Sequence, residues 1–115
     1  MAYERQSGSA DGRFELQVEA WEARNTHWVL ALQIRDTTNG RILFKPLAPT
    51  WSADSSTWTG TQVRVVLRKY PGDQRRPCLE ALVDCEREVG CVEGGEVLAL
   101  SRLEAELDRL LSEAA

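Results

Sequence analysis

The sequence predicts a mostly β domain: an antiparallel sheet of five to seven strands, bent into a roll, barrel or sandwich, with one C-terminal amphipathic helix packed on it. Three features predict it. Apolar and polar residues alternate along much of the chain, the period of half-buried strands. Gly, Pro, Asn and Asp interrupt that alternation at short intervals, as turns do. The period then changes at Leu100–Ser101, after which Leu103, Leu107, Leu110 and Leu111 recur at helical spacing.

Residues 1–11 are polar and carry Ser and Gly, which predicts a flexible N-terminal tail on a single domain spanning 1–115. Phe14, Leu16, Val18 and Ala20 then alternate with Glu15, Gln17 and Glu19 in a first strand. Trp21 falls in the polar phase, so it is either exposed or shifted by a bulge. Arg24-Asn25-Thr26 reads as a turn. A second strand follows with Trp28, Leu30, Leu32 and Ile34 in one phase, which assigns Trp28 to the core and pairs the two runs as a hairpin. Asp36-Thr37-Thr38-Asn39-Gly40 is the next turn, with Asn-Gly supplying the positive φ of a tight hairpin.

A third strand over 41–45 ends at Pro46 and Pro49, because proline cannot donate to a ladder. Residues 46–60, bracketed by Trp51 and Trp58, read as the longest irregular stretch. Val63, Val65 and Leu67 form a fourth strand, with Gln62, Arg64 and Arg68 on its other face. Tyr70-Pro71-Gly72-Asp73 turns the chain into a fifth strand over 77–85, where Leu79, Ala81 and Val83 oppose Glu80 and Asp84. Residues 88–92 suit a short edge strand, Glu93-Gly94-Gly95 a turn, and 97–100 a last strand.

Ser101-Arg102-Leu103-Glu104 has the form of a capping box, so the helix is expected to begin at Ser101 within two residues. Arg102 with Glu106, and Arg109 with Glu113, stand four apart on its polar face. The leucine stripe is too short for a coiled coil and packs onto the sheet; a homodimer through this helix is the alternative. Strands joined by short turns and then a C-terminal helix resemble the layout of the pleckstrin-homology-like superfold, with 34–44 at a strand–turn–strand junction. A β-sandwich with a packed helix fits the same order.

Composition narrows the function. A net charge of −4 over 115 residues argues against a general nucleic-acid binder, which needs a basic stripe. No run approaches the ~18 apolar residues of a membrane helix, and the N-terminus lacks the apolar stretch of a signal peptide. Cys78, Cys85 and Cys91 are odd in number, which fits a reduced, cytoplasmic protein. Their C-x6-C-x5-C spacing does not match the C-x2–4-C pairs of structural zinc sites, so no metal is expected. Cys78 and Cys85 lie an odd distance apart in one strand and face opposite ways. His27 is the one histidine and sits at a strand start, away from any nucleophile motif. Gly94-Gly95 lacks the pattern of a phosphate loop. The chain is therefore expected to be non-enzymatic and free of cofactors.

Binding candidates are Trp51, Trp58 and Trp21, with Arg64 and Arg68. Loop aromatics bury much area with few rotors, which is how contact surfaces use them. The leading expectation is a protein- or peptide-binding module (adaptor, inhibitor or immunity-type partner) that uses a sheet edge or the 46–60 segment, with Trp51 and Trp58 either its anchors or the residues that pin the segment to the core. Alternatives are a small-ligand pocket between sheet and helix, or single-stranded nucleic acid stacked on tryptophan beside Arg64, Arg68, Arg75 and Arg76.

Overall fold

The computed structural model describes residues 3–22, 28–70 and 78–113. His27, Arg75, Arg76, the 24–26 turn and most of the 70–73 turn lie outside them. Among the described residues there are nine strands: β1 (Glu4–Gly8), β2 (Phe14–Glu22), β3 (Trp28–Asp36), β4 (Ile42–Phe44), β5 (Trp51–Thr59), β6 (Gln62–Lys69), β7 (Leu79–Asp84), β8 (Val89–Val92) and β9 (Leu98–Ala99). A 3₁₀ turn over Leu100–Arg102 leads into the helix α1 (Leu103–Glu113). The strands form one antiparallel sheet in the order β1-β2-β3-β5-β6-β7-β8-β9, with β4 also on β3. The sheet curls without closing.

Two strands are additions to the expected set. Residues 4–8 form β1 on β2 rather than a loose tail. Residues 51–59 form β5 on β6 rather than a loop. Each carries a register shift, at Gln6 in β1 and at Asp54 in β5, and a bulge hides the period of two on which strand recognition rests.

The curled sheet and α1 enclose the core. Phe14, Leu16, Leu32, Ile34, Trp51, Val63, Val65, Leu67, Leu79 and Val83 are buried from the sheet, and Leu103, Leu107 and Leu111 from the helix. Each such side chain contributes about 1.5–3 kcal/mol by leaving water. Leu110, expected in the same stripe, is half-buried against this cluster. The leucines that would make a dimer seam are thus covered by the chain's own sheet. Glu106 pairs with Arg109, three residues on, rather than with Arg102. The side chain of Glu113 lies outside the described residues.

The β2–β3 hairpin keeps one register from Phe14↔Asp36 to Glu22↔Trp28, so Trp21 is not displaced by a bulge. Burial nevertheless changes faces along it. The even-numbered side is covered at Leu16 and Ile34 but outlying at Ala20, and Trp28 is 59% exposed opposite Glu22. The expectation that Trp28 belongs to the core fails because the hairpin end runs past the core. Val29, on the other face opposite Trp21, is buried instead. In the following turn Gly40 alone takes a positive φ, +74°, and the Asp36 carboxylate accepts from the Thr38 amide and hydroxyl. Those bonds, the hydroxyl first, hold the Asp36 carboxyl below the usual range.

Candidate functional site

One edge of β3 is shared by two strands. Ile34 pairs with Phe44 of β4, and Ala31 pairs with Ser52 of β5. From Ile34 to Ala31 the chain moves three residues, whereas from Phe44 to Ser52 it moves eight. β4 and β5 therefore act as two halves of one strand position, and the five-residue excess is extruded as a ridge over residues 45–50. The sequence explains the break, since Pro46 and Pro49 have no amide hydrogen to give a ladder.

The ridge is tied down from both flanks. The Glu104 carboxylate of α1 accepts from the amide of Leu47 at 2.7 Å and from that of Ala48 at 3.0 Å. On the other flank the Trp21 indole N–H donates to the Pro49 carbonyl at 3.1 Å. Pro46 is buried, and Ala48 packs against the core. Between these fixings Leu47 stands 93% exposed. Glu104 is thus not the capping residue that Ser-x-x-Glu suggested. Ala99 is the N-cap of the 3₁₀ turn, with no side-chain cap bond.

Hollows lie on both sides of the ridge. The larger, about 470 Å³, separates β4 from the β9–3₁₀ segment and is walled by Leu43, Phe44, Leu100 and Ser101, with Leu47 on its rim. Arg41 and Glu88 bridge one end of it with a two-pronged pair at 2.5 and 2.6 Å. Hydrogen bonding to Arg41 holds the Glu88 carboxyl below its ordinary range, and the same bond raises Arg41. Glu88 is placed for this by a left-handed backbone, φ 56°, uncommon outside glycine. The smaller hollow, about 230 Å³, lies over the odd-numbered face of β2–β3 and is lined by Tyr3, Glu19, Trp21, Lys45 and Trp51. Lys45 sits 5.5 Å from the Tyr3 ring centroid.

The five candidate residues are not gathered in one place. Trp51 is 1% exposed and belongs to the core, with Lys69 Nζ 5.4 Å from its ring centroid. It is no surface anchor, because strand pairing turns it inward. Its Nε1 is buried without a partner. Trp58 is half-buried against the core and gives its N–H to Ser7 Oγ at 2.9 Å. Arg64 and Arg68 lie on the outer face of β6, paired with Glu80 and Asp54. Of the five, Trp21 and Trp51 border the hollow beside the ridge, and Trp21 is the one that bonds to it through its side chain.

Cys78 is exposed and Cys85 buried at opposite ends of β7, and Cys91 is half-buried; all three are free. Burial pushes the Cys85 thiol up to about 12. Among the described residues no three of His, Cys, Asp and Glu gather as metal ligands, and no helix is long and apolar enough to cross a membrane. Sequence reasoning passed over Leu47 and Lys45 and assigned Glu104 to the helix cap. A single leucine between two prolines has no periodic signal, and the Glu104 contact joins residues 57 apart. Comparison with protein-family models, curated proteins and solved structures found no match.

Proposed function

We propose that this chain is a non-catalytic protein-binding module whose contact surface is the 45–50 ridge, with Leu47 as its anchor. The observation that carries this is a leucine 93% exposed on a backbone fixed from both flanks. Three hydrogen bonds hold it out. An anchor that is already ordered avoids the entropy that binding otherwise costs. Trp51, first suspected as an anchor, instead packs into the core at the start of the strand that follows the ridge.

Leu47→Asp tests it, with Val97→Asp as a control at a second exposed apolar site, Val97 being 63% exposed. Both variants should melt as the parent does. Immobilised parent and the Val97 variant should retain the same protein from native lysate, identified by mass spectrometry. The Leu47 variant should lose it by about thirtyfold in affinity, the loss of a hot-spot side chain. Equal retention by all three proteins would place the binding surface elsewhere.

A further inference from the structure

We infer that the smaller hollow binds a free α-amino acid with an apolar side chain, Glu19 taking its ammonium group and Lys45 its carboxylate; this does not rest on the reading of the ridge as a protein-binding surface. The strand register builds the site. Glu19 of β2 pairs with Ala31 of β3, whose single methyl leaves the space above the sheet open. β1 begins with Glu4 opposite Val18, which brings Tyr3 level with Glu19. Trp21 stands two residues along the same face, its ring held by the indole bond to the Pro49 carbonyl. The half-buried Glu19 side chain is therefore flanked by two aromatic ones. Lys45 enters from the ridge, with its Nζ over the Tyr3 ring.

Charge selects the ligand. Among the described residues neither the Glu19 carboxylate nor the Lys45 ammonium has an ion-pair partner, although both line this hollow. An uncharged apolar ligand strips water from both and pairs neither. A simple cation suits Glu19 but meets the like charge of Lys45, and a simple anion does the reverse. A ligand that carries both charges satisfies the two at once. The aromatic walls fit the same assignment, because ring faces attract an ammonium group and bury an apolar side chain. At about 230 Å³ the hollow is smaller than the pockets that hold drug-sized ligands, which limits its occupant to one small molecule. An α-amino acid carries both charges and an apolar side chain on a single carbon.

Titration calorimetry of the full chain tests it with free L-phenylalanine and two analogues: phenethylamine, which lacks the carboxylate, and hydrocinnamate, which lacks the ammonium group. The amino acid should bind with a millimolar or tighter dissociation constant, about tenfold more tightly than either analogue. In NMR spectra the shifts it causes should centre on the Trp21 indole N–H and the amides of Glu19 and Ala31. Glu19→Gln should weaken the amino acid about tenfold and leave hydrocinnamate bound as well or better. Lys45→Met should weaken it as much and leave phenethylamine bound as well or better. The comparison of ligands on the parent decides the matter even if a variant fails to fold. No binding up to about 10 mM, an analogue that binds as tightly as the amino acid, or shifts centred away from the hollow overturns the inference. So do folded variants that both bind the amino acid as the parent does. Loss of a captured protein in Leu47→Asp, with no amino acid bound by the parent, removes this inference and leaves the reading of the ridge standing.

Discussion

The curled sheet is fastened differently at its two margins. Where β1 approaches β5, the contacts are neutral. Gln6 Nε2 donates to the Ala53 carbonyl at 3.0 Å, and Ser56 Oγ donates to Gln6 Oε1 at 2.6 Å. A hydroxyl has one proton, so Ser7 must be the donor in its 2.5 Å bond to Ser56. Trp58 then donates to Ser7 at 2.9 Å. The result is a one-way relay from Trp58 through Ser7 and Ser56 to Gln6. It joins the two bulged strands, and Gln6 is the bulge residue that reaches the Ala53 carbonyl beside the other bulge.

Where β4 approaches β9 and α1, the fastenings are ionised. Arg41 meets Glu88 and Glu104 holds the ridge amides, while Lys69 ties α1 to the end of β6 through Asp108 at 2.7 Å. Neutral hydrogen bonds ignore pH and salt over the ordinary range, whereas exposed ion pairs are screened and titrate. The hollow and the exposed leucine lie at the ionised margin. The neutral margin ties β1 to β5 through side chains that do not titrate, and the ionised one leaves a gap and frames it.

Breaking the neutral margin should give the larger loss of stability. Gln6→Ala strips the Ala53 carbonyl of its donor and the Ser56 hydroxyl of its acceptor. We expect a cost of about 1–3 kcal/mol in urea unfolding, the penalty of unsatisfied, partly buried groups. The cost should be the same at pH 5 and pH 8, since none of the four side chains titrates there. A loss below about 0.5 kcal/mol would show that water replaces the relay.

The ionised margin should respond to acid instead. Glu88 has its carboxyl lowered by Arg41, so its contribution is present above the ordinary glutamate range and is lost as pH falls through the lowered value. Arg41→Ala should leave neutral-pH stability almost unchanged, because exposed pairs are worth little. The Glu88 carboxyl, followed by NMR titration, should return to the ordinary glutamate range. If it titrates as before, the guanidinium is not what lowers it.

The same contrast explains what the sequence made legible. The alternation over β2, β3, β6, β7 and β8 and the leucine spacing of α1 are local signals, and the strands and helix stand where those signals put them. β1 and β5 were hidden by their bulges, and β5 also by its Ser-Ala-Asp-Ser-Ser composition. Its inward side chains, Trp51 and Ala53, fall in step only until Asp54 interrupts the register. The candidate site was less legible still. Ser101-x-x-Glu104 looks like a local cap, yet the carboxylate serves a ridge far away in sequence. The ridge itself exists because Phe44 and Ser52 both register on β3, a relation no local pattern expresses.

The account turns on the ridge being held rather than loose, and amide hydrogen exchange at Leu47 and Ala48 measures that directly. Both amides lie in an irregular connection, where exchange is ordinarily fast. Held by Glu104, they should exchange at least about tenfold more slowly than in an unstructured chain. Glu104→Ala should abolish that protection and leave the amides of β2 and β3 as slow as in the parent. Unprotected exchange at both positions in the parent would contradict the account, because Leu47 would then be only a side chain on a mobile loop.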